Sequence, residues 1–256
     1  MGHGKLRKFA ENETFSCLLQ PSTEEVVPDG YENMRDHPVK GNWFASHKAP
    51  IVLELGCGKG EYTLELARRN PDINFIGVDI KGARLWRGAK TATEEKLPNV
   101  AFLRTRIELI TAFFAPDEVS EIWLTFSDPQ PKSENSRLTS PVFLERYRRF
   151  LKKGGPVHLK TDSLFLHEYT KAVVELNGLE TLACTTDLYG AGNAGIAPEV
   201  KEVQTFYEKM FLEQGVPITY LKFNIDHDGP YLHPEGFDAA DWRRLDSSRR
   251  SFQHTR

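Results

Sequence analysis

The sequence has little cysteine. Its 256 residues include three, Cys17, Cys57 and Cys184, with no CxxC pair and no repeated spacing. This excludes a disulfide framework or a zinc–cysteine cluster and sets the expectation of a reducing compartment. Neither sign of charge is in excess. With a net charge of -3 and a pI near 6.3 there is no global basic field, so a polyanionic partner has to be met by local patches. No stretch reaches the roughly 18 consecutive apolar residues that a membrane helix needs. The opening MGHGKLRKFAENETF has basic residues without the apolar run of a secretory signal. The expectation is a soluble, cytoplasmic protein with no membrane contact and no metal.

The chain is 39% hydrophobic and 27% charged, which suits one large α/β domain with small extensions. Residues 1–48 are polar and turn-rich and read as an N-terminal extension, lying on the domain or ordered by a partner. From residue 50 the texture changes. Apolar runs at 51–55, 74–80, 100–103, 122–126 and 155–161 alternate with helical stretches, of which 141–153 and 163–176 are the longest after the one at 81–96. Strands this uniformly apolar have no wet face, which predicts a parallel sheet covered on both sides by helices. Two further strands, near 179–186 and 218–225, with a helix near 203–214 between them, bring the count to seven. The domain is thus a mostly parallel, Rossmann-like α/β sheet over residues 49–226. Residues 227–256, with Arg243, Arg244, Arg249 and Arg250, read as a polar, loosely held tail.

Ligands of open α/β sheets bind beyond the carboxyl ends of the strands. The first run ends in Glu54-Leu55-Gly56-Cys57-Gly58-Lys59-Gly60, where alternate glycines let the backbone turn tightly toward a ligand as a helix begins. Asp79 ends the second run, 19 residues after Gly60, placed to accept hydrogen bonds from a ribose diol. A dinucleotide fingerprint would need its third glycine one residue later, where Glu61 stands, and a pyrophosphate would be repelled by Glu54. A cationic sulfonium would be attracted, so the pattern favours S-adenosylmethionine over NAD. The third run leads to Arg106, which cannot accept a bond from an adenine amino group. The fourth opens into Asp128, flanked by Pro129 and Pro131 with Lys132 just beyond, and the fifth ends in Lys160-Thr161-Asp162. Taken alone, Asp128 is also what a plain turn requires, and Glu54 could simply be satisfied by amides of its own loop.

Together Glu54–Gly60, Phe126-Ser127-Asp128-Pro129-Gln130-Pro131-Lys132, His158–Asp162 and Thr205-Phe206-Tyr207-Glu208 resemble the bacterial tRNA (guanine-N7-)-methyltransferases of the TrmB type, over about residues 50–225. The resemblance implies a class I S-adenosylmethionine-dependent methyltransferase fold and transfer of a methyl group to guanine N7, at position 46 in the variable loop of tRNA. It implies that Glu54, Gly56, Gly58, Gly60, Asp79, Arg106 and Asp128 meet the methyl donor, with Asp128 also catalytic. It implies that Lys132, Asp162, Thr205, Phe206, Tyr207 and Glu208 hold the tRNA. Thr205 equally fits a helix cap with Glu208 three residues on. The protein would act as a monomer or weak homodimer.

The sequence departs from the family at Arg106, at Gln130 where most members have tryptophan, and at Ser133-Glu134-Asn135-Ser136-Arg137, where most carry a basic run. Phosphate contacts then fall to other bases: Lys5, Arg7 and Lys8, the helix with Arg146, Arg149 and Lys153, or the tail arginines. Two competing readings are a methyltransferase acting on another substrate and a degenerate domain that only binds RNA.

Overall fold

The computed structural model describes residues 3–250, residue 194 excepted. Its architecture is an eight-stranded, mostly parallel sheet with helices. The chain forms two compact units, Met1–Ile122 with Arg149–Lys152, and Trp123–Arg148 with Lys153–Arg256.

The first unit contains α1 (His3–Asn12), β1 (Leu18–Leu19), α2 (Thr23–Val26), β2 (Ile51–Leu55), α3 (Glu61–Arg69), β3 (Asn74–Asp79), α4 (Gly82–Glu94) and β4 (Val100–Arg104). Strands β2, β3, β4 and β1 lie side by side, all parallel, with Glu54 opposite Gly77 and Asp79 opposite Arg104. Every residue of β2 and β3 is buried. Leu53, Ile76, Val78, Phe102 and Leu103 are fully buried, as are Tyr62 of α3 and Leu85 and Ala89 of α4, and each large apolar side chain removed from water contributes roughly 1.5–3 kcal/mol. The eighth strand is β1, inside the segment expected as an extension. Leu18 and Leu19 pair with Phe102 and Leu103.

Strand β5 (Val119–Thr125) begins in the first unit and ends in the second. The second unit continues with α5 (Pro141–Tyr147), β6 (Pro156–Thr161), α6 (Leu164–Leu176), β7 (Thr181–Thr185), α7 (Pro198–Glu202), α8 (Phe206–Glu213), β8 (Thr219–Asn224) and α9 (Ala239–Arg250). Here β8 is antiparallel to both β6 and β7. Helix α5 stops at Tyr147, short of the expected 153, because Leu151 bridges to Val119 of β5.

Within the expected tail, Phe237 and Asp246 are tied to the second unit, and residues 251–256 lie outside the described residues. Asp246 of α9 is buried and accepts the Phe165 amide at 3.0 Å as well as the Ser163 hydroxyl, so it caps the N-terminus of α6. The Phe237 carbonyl accepts from the Arg137 guanidinium at 2.9 Å.

Candidate active site

In the first unit Glu54, Gly56, Gly58, Gly60 and Asp79, five of the expected methyl-donor residues, lie at the carboxyl ends of β2 and β3. The Gly56 and Cys57 amides both donate to the Val78 carbonyl, at 2.8 and 3.0 Å, which fastens the start of the glycine loop to β3. Gly60 stands in the left-handed region at φ 71° and opens α3. A Cβ there would lie 2.5 Å from the Phe102 ring, so this glycine is required by packing. Gly58 is also left-handed, at φ 59°, but a Cβ there would meet nothing within 4 Å. Its surroundings are open, as a ligand cradle requires.

Two buried carboxylates face this loop. Glu54 accepts the Thr63 amide at 2.9 Å and also the Thr63 hydroxyl, so it satisfies an amide in the first turn of α3 that has no helical partner. Asp79 accepts the Gly58 amide at 3.0 Å through one oxygen and the Lys81 amide at 2.7 Å through the other. A carboxylate oxygen has two lone pairs, so Asp79 holds its loop and keeps acceptor capacity. The thiol of Cys57 registers the local field. Burial pushes its pKa well up, and the negative charges of Glu54 and Asp79 push it further. Two buried carboxylates at the glycine loop fit a cation and oppose a pyrophosphate. Arg106 lies apart from this cluster in its bonding: it is exposed, pairs with Glu108 at 3.4 Å and sits 6.0 Å from the Tyr31 ring.

In the second unit Asp128 is exposed on the loop after β5 and accepts the Gln130 amide at 3.0 Å. The residues on both sides of it, Phe126 at φ 52° and Gln130 at φ 46°, are left-handed without being glycine. Such backbone is strained, and surrounding bonds have to hold it. Three contacts do so. The Phe126 amide donates to the Lys160 carbonyl at 2.8 Å. The Phe126 ring stacks on Phe211 of α8 at 6.2 Å. Arg137 donates to the Gln130 carbonyl at 3.3 Å while its guanidinium lies between the Phe165 and Tyr169 rings, at 4.8 and 4.3 Å. Within this loop the Ser127 hydroxyl is buried without a hydrogen-bond partner.

The remaining expected substrate residues differ in exposure. Lys132 is exposed and Asp162 is half-buried at the end of β6. Thr205 caps α8, accepting the Glu208 amide at 3.2 Å. Phe206 and Tyr207 stand in solvent, 60% and 50% exposed, in an edge-to-face pair. Glu208 points the other way. Fully buried, it pairs with the Lys160 ammonium at 2.8 Å and accepts the Tyr189 hydroxyl at 2.6 Å. Lys160 spends its other two protons on the Val200 and Val203 carbonyls, at 2.6 and 2.9 Å. Burial pulls the Lys160 pKa down and Glu208 opposes that pull, while burial and the bond to Glu208 push the Tyr189 hydroxyl up. Sequence reasoning named Lys160 and Arg137 but gave neither a role. The signal for Lys160 was a base inside an otherwise apolar strand.

Among the described residues no group of His, Cys, Asp and Glu is arranged to hold a metal ion, and no helix is long and apolar enough to cross a membrane.

A family model described as "Putative methyltransferase" matches residues 48–221. The tRNA (guanine-N(7)-)-methyltransferase of Christiangramia forsetii is 55% identical over 86% of this chain and 97% of its own length. That of Bacteroides fragilis is 46% identical over 98% of each. The chain belongs to the tRNA (guanine-N7-)-methyltransferase family. Among solved structures, the 16S rRNA methyltransferase KamB superposes with a TM-score of 0.54 at 18% identity, covering 78% of this chain and 98% of that one. This likeness concerns the fold, and it places this family member in the Rossmann-like methyltransferase class.

Proposed function

We propose that the protein transfers the methyl group of S-adenosylmethionine to N7 of a guanine in tRNA, the guanine at position 46 of the variable loop. Family membership at 55% identity supports the reaction. The residue-level reading rests most on Asp128, a carboxylate presented on a strained and braced loop.

In this reading Glu54, Asp79 and the glycine loop hold the methyl donor, whose sulfonium presents an electrophilic methyl. The lone pair of guanine N7 forms the new N–C bond, the C–S bond breaks with its electrons going to sulfur, and the positive charge passes to the purine. No proton has to leave N7, so catalysis reduces to orientation and charge stabilisation. Asp128 accepts from the N–H edge of the guanine and offsets the charge arriving on the ring. Its loop is set before substrate arrives, because Lys160, Phe211 and Arg137 already hold the flanking residues. Phe206 and Tyr207 offer exposed aromatic faces on which bases of the substrate stack. Lys132 takes a phosphate and Asp162 accepts from base or sugar. Glu208 acts from the interior by fixing the start of α8.

The test is incubation with labelled methyl donor and unmodified tRNA, followed by nucleoside analysis. The reading expects label in 7-methylguanosine, lost when guanine 46 is replaced by adenine. Label in another nucleoside, or none, would overturn it.

A further inference from the structure

The first unit carries a row of bases that the proposed reaction does not use. Helix α4 presents Arg84 and Arg87 to solvent at i,i+3 spacing, and Lys90 follows at the same interval. Lys81 precedes the row and Arg104 lies at the end of β4. Among the described residues Lys81, Arg84, Arg87 and Arg104 have no acidic partner. Helix α3 of the same unit is different, since Arg68 and Arg69 are taken up by Glu65 and Glu95.

Helix α1 joins this face. Asn12 donates to the Gly82 carbonyl at 3.0 Å, the Trp86 indole donates to Glu11 at 2.6 Å, and the Arg104 guanidinium lies 5.2 Å from the Phe9 ring. These contacts bring Lys8 to 4.6 Å from the Trp86 ring centre, with Lys90 at 5.3 Å from the same ring. The nearby acids are engaged: Glu11 by Trp86 and Arg7, Glu94 by Lys90. A face with this surplus stands out on a chain of net charge -3. It also begins at the candidate methyl-donor site, because the Lys81 amide is one of the two that hold Asp79.

We infer that the α1–α4 face docks the phosphate backbone of the RNA substrate, with Arg84 and Arg87 as the principal contacts and Lys8 beside them. The inference rests on tRNA being the substrate. Such contacts set position and orientation without reading sequence. They also answer a deficit in the loop after Asp128, where Lys132 is exposed but Arg137 is buried and engaged with backbone carbonyls.

The experiment measures affinity for an unmodified tRNA transcript across a range of KCl. It compares the wild type with Arg84→Gln/Arg87→Gln and with a charge-matched control on α3, Arg68→Gln/Arg69→Gln. Each phosphate that is no longer neutralised takes about 0.7–0.9 off the slope of log affinity against log salt. The α4 variant is expected to flatten the slope by about 1.5 and the α3 variant to leave it unchanged. Calorimetry with S-adenosylhomocysteine checks that the first unit is folded. Should the α4 double variant fail that check, the single variants take its place, each with about half the flattening. Equal slopes in wild type and α4 variant, or equal flattening in the two double variants, would overturn the inference. Salt-dependent binding without 7-methylguanosine formation would sink the functional reading and leave the docking face standing. Methylation with an unchanged slope would do the reverse.

Discussion

The Lys160 ammonium lies 2.8 Å from the Glu208 carboxylate with both side chains fully buried. Their bond links the end of β6 to the first turn of α8, and the Lys160 carbonyl also receives the Phe126 amide beside Asp128. One residue therefore holds both the Asp128 loop and the helix that presents Phe206 and Tyr207. Removing one partner strands a buried charge, at a cost of about 3–5 kcal/mol, whereas replacing both with apolar groups is close to neutral. Lys160→Met should lower the urea midpoint strongly, and Lys160→Met/Glu208→Leu should recover the part due to the stranded charge, leaving the loss from the Val200 and Val203 carbonyls, which lack a donor in both variants. Equal loss in the two variants would show that the pair's charge is not what matters.

His158 gives a pH dependence. Its ring stacks on Trp123 at 3.9 Å, bonds to the Tyr220 hydroxyl at 2.7 Å, and is held well below the usual histidine range by burial and then by Lys222. The folded state keeps it neutral, while the unfolded chain binds a proton as pH falls through about 6.5. The unfolded state then binds more protons, so stability drops with falling pH, by up to about 1.4 kcal/mol per pH unit for one group. Urea midpoints from neutral pH downward should fall less steeply in His158→Gln than in the wild type. Parallel curves would assign the acid loss elsewhere.

The apolar pattern was enough to place six of the seven longer strands, which are buried along most of their length, whereas β7 is largely exposed at the edge of the sheet, where it pairs with β8. Strand β1 is two residues long and exists only through its pairing with Phe102 and Leu103, which no local pattern encodes. Helix α9 reads as polar, and its buried Asp246 is one acid among many until Ser163 is seen opposite it. The same blindness affected the site. Glu54, Asp79 and Asp128 were legible as acids at strand ends. Glu208 was legible as an acid but not as a buried one, since its depth depends on Lys160, 48 residues earlier in the chain.

The field at the glycine loop predicts a selective effect of Glu54→Gln. The substitution keeps an oxygen for the Thr63 amide and removes the charge. Affinity for the sulfonium donor should fall on the order of tenfold, or about 1.4 kcal/mol, and affinity for its neutral thioether product should fall less. Calorimetry with both ligands decides; equal losses would mean that Glu54 acts through shape rather than charge.

Because guanine N7 offers a lone pair directly, methyl transfer should not depend on a proton in flight. Single-turnover rates in heavy and ordinary water should agree, with a ratio of about 1. Slowing by about twofold or more would require a general base that the present assignment lacks.

The most direct measurement replaces the charge of Asp128 and leaves its shape. Asp128 is exposed and its carboxylate accepts the Gln130 amide, so Asp128→Asn should fold normally and still bind S-adenosylhomocysteine, whose affinity is measured alongside turnover. Single-turnover methylation of tRNA should fall by about 10²–10³, the usual scale for losing one preorganised electrostatic partner of a transition state. Turnover near the wild-type rate, with the methyl-donor site intact, would contradict the account.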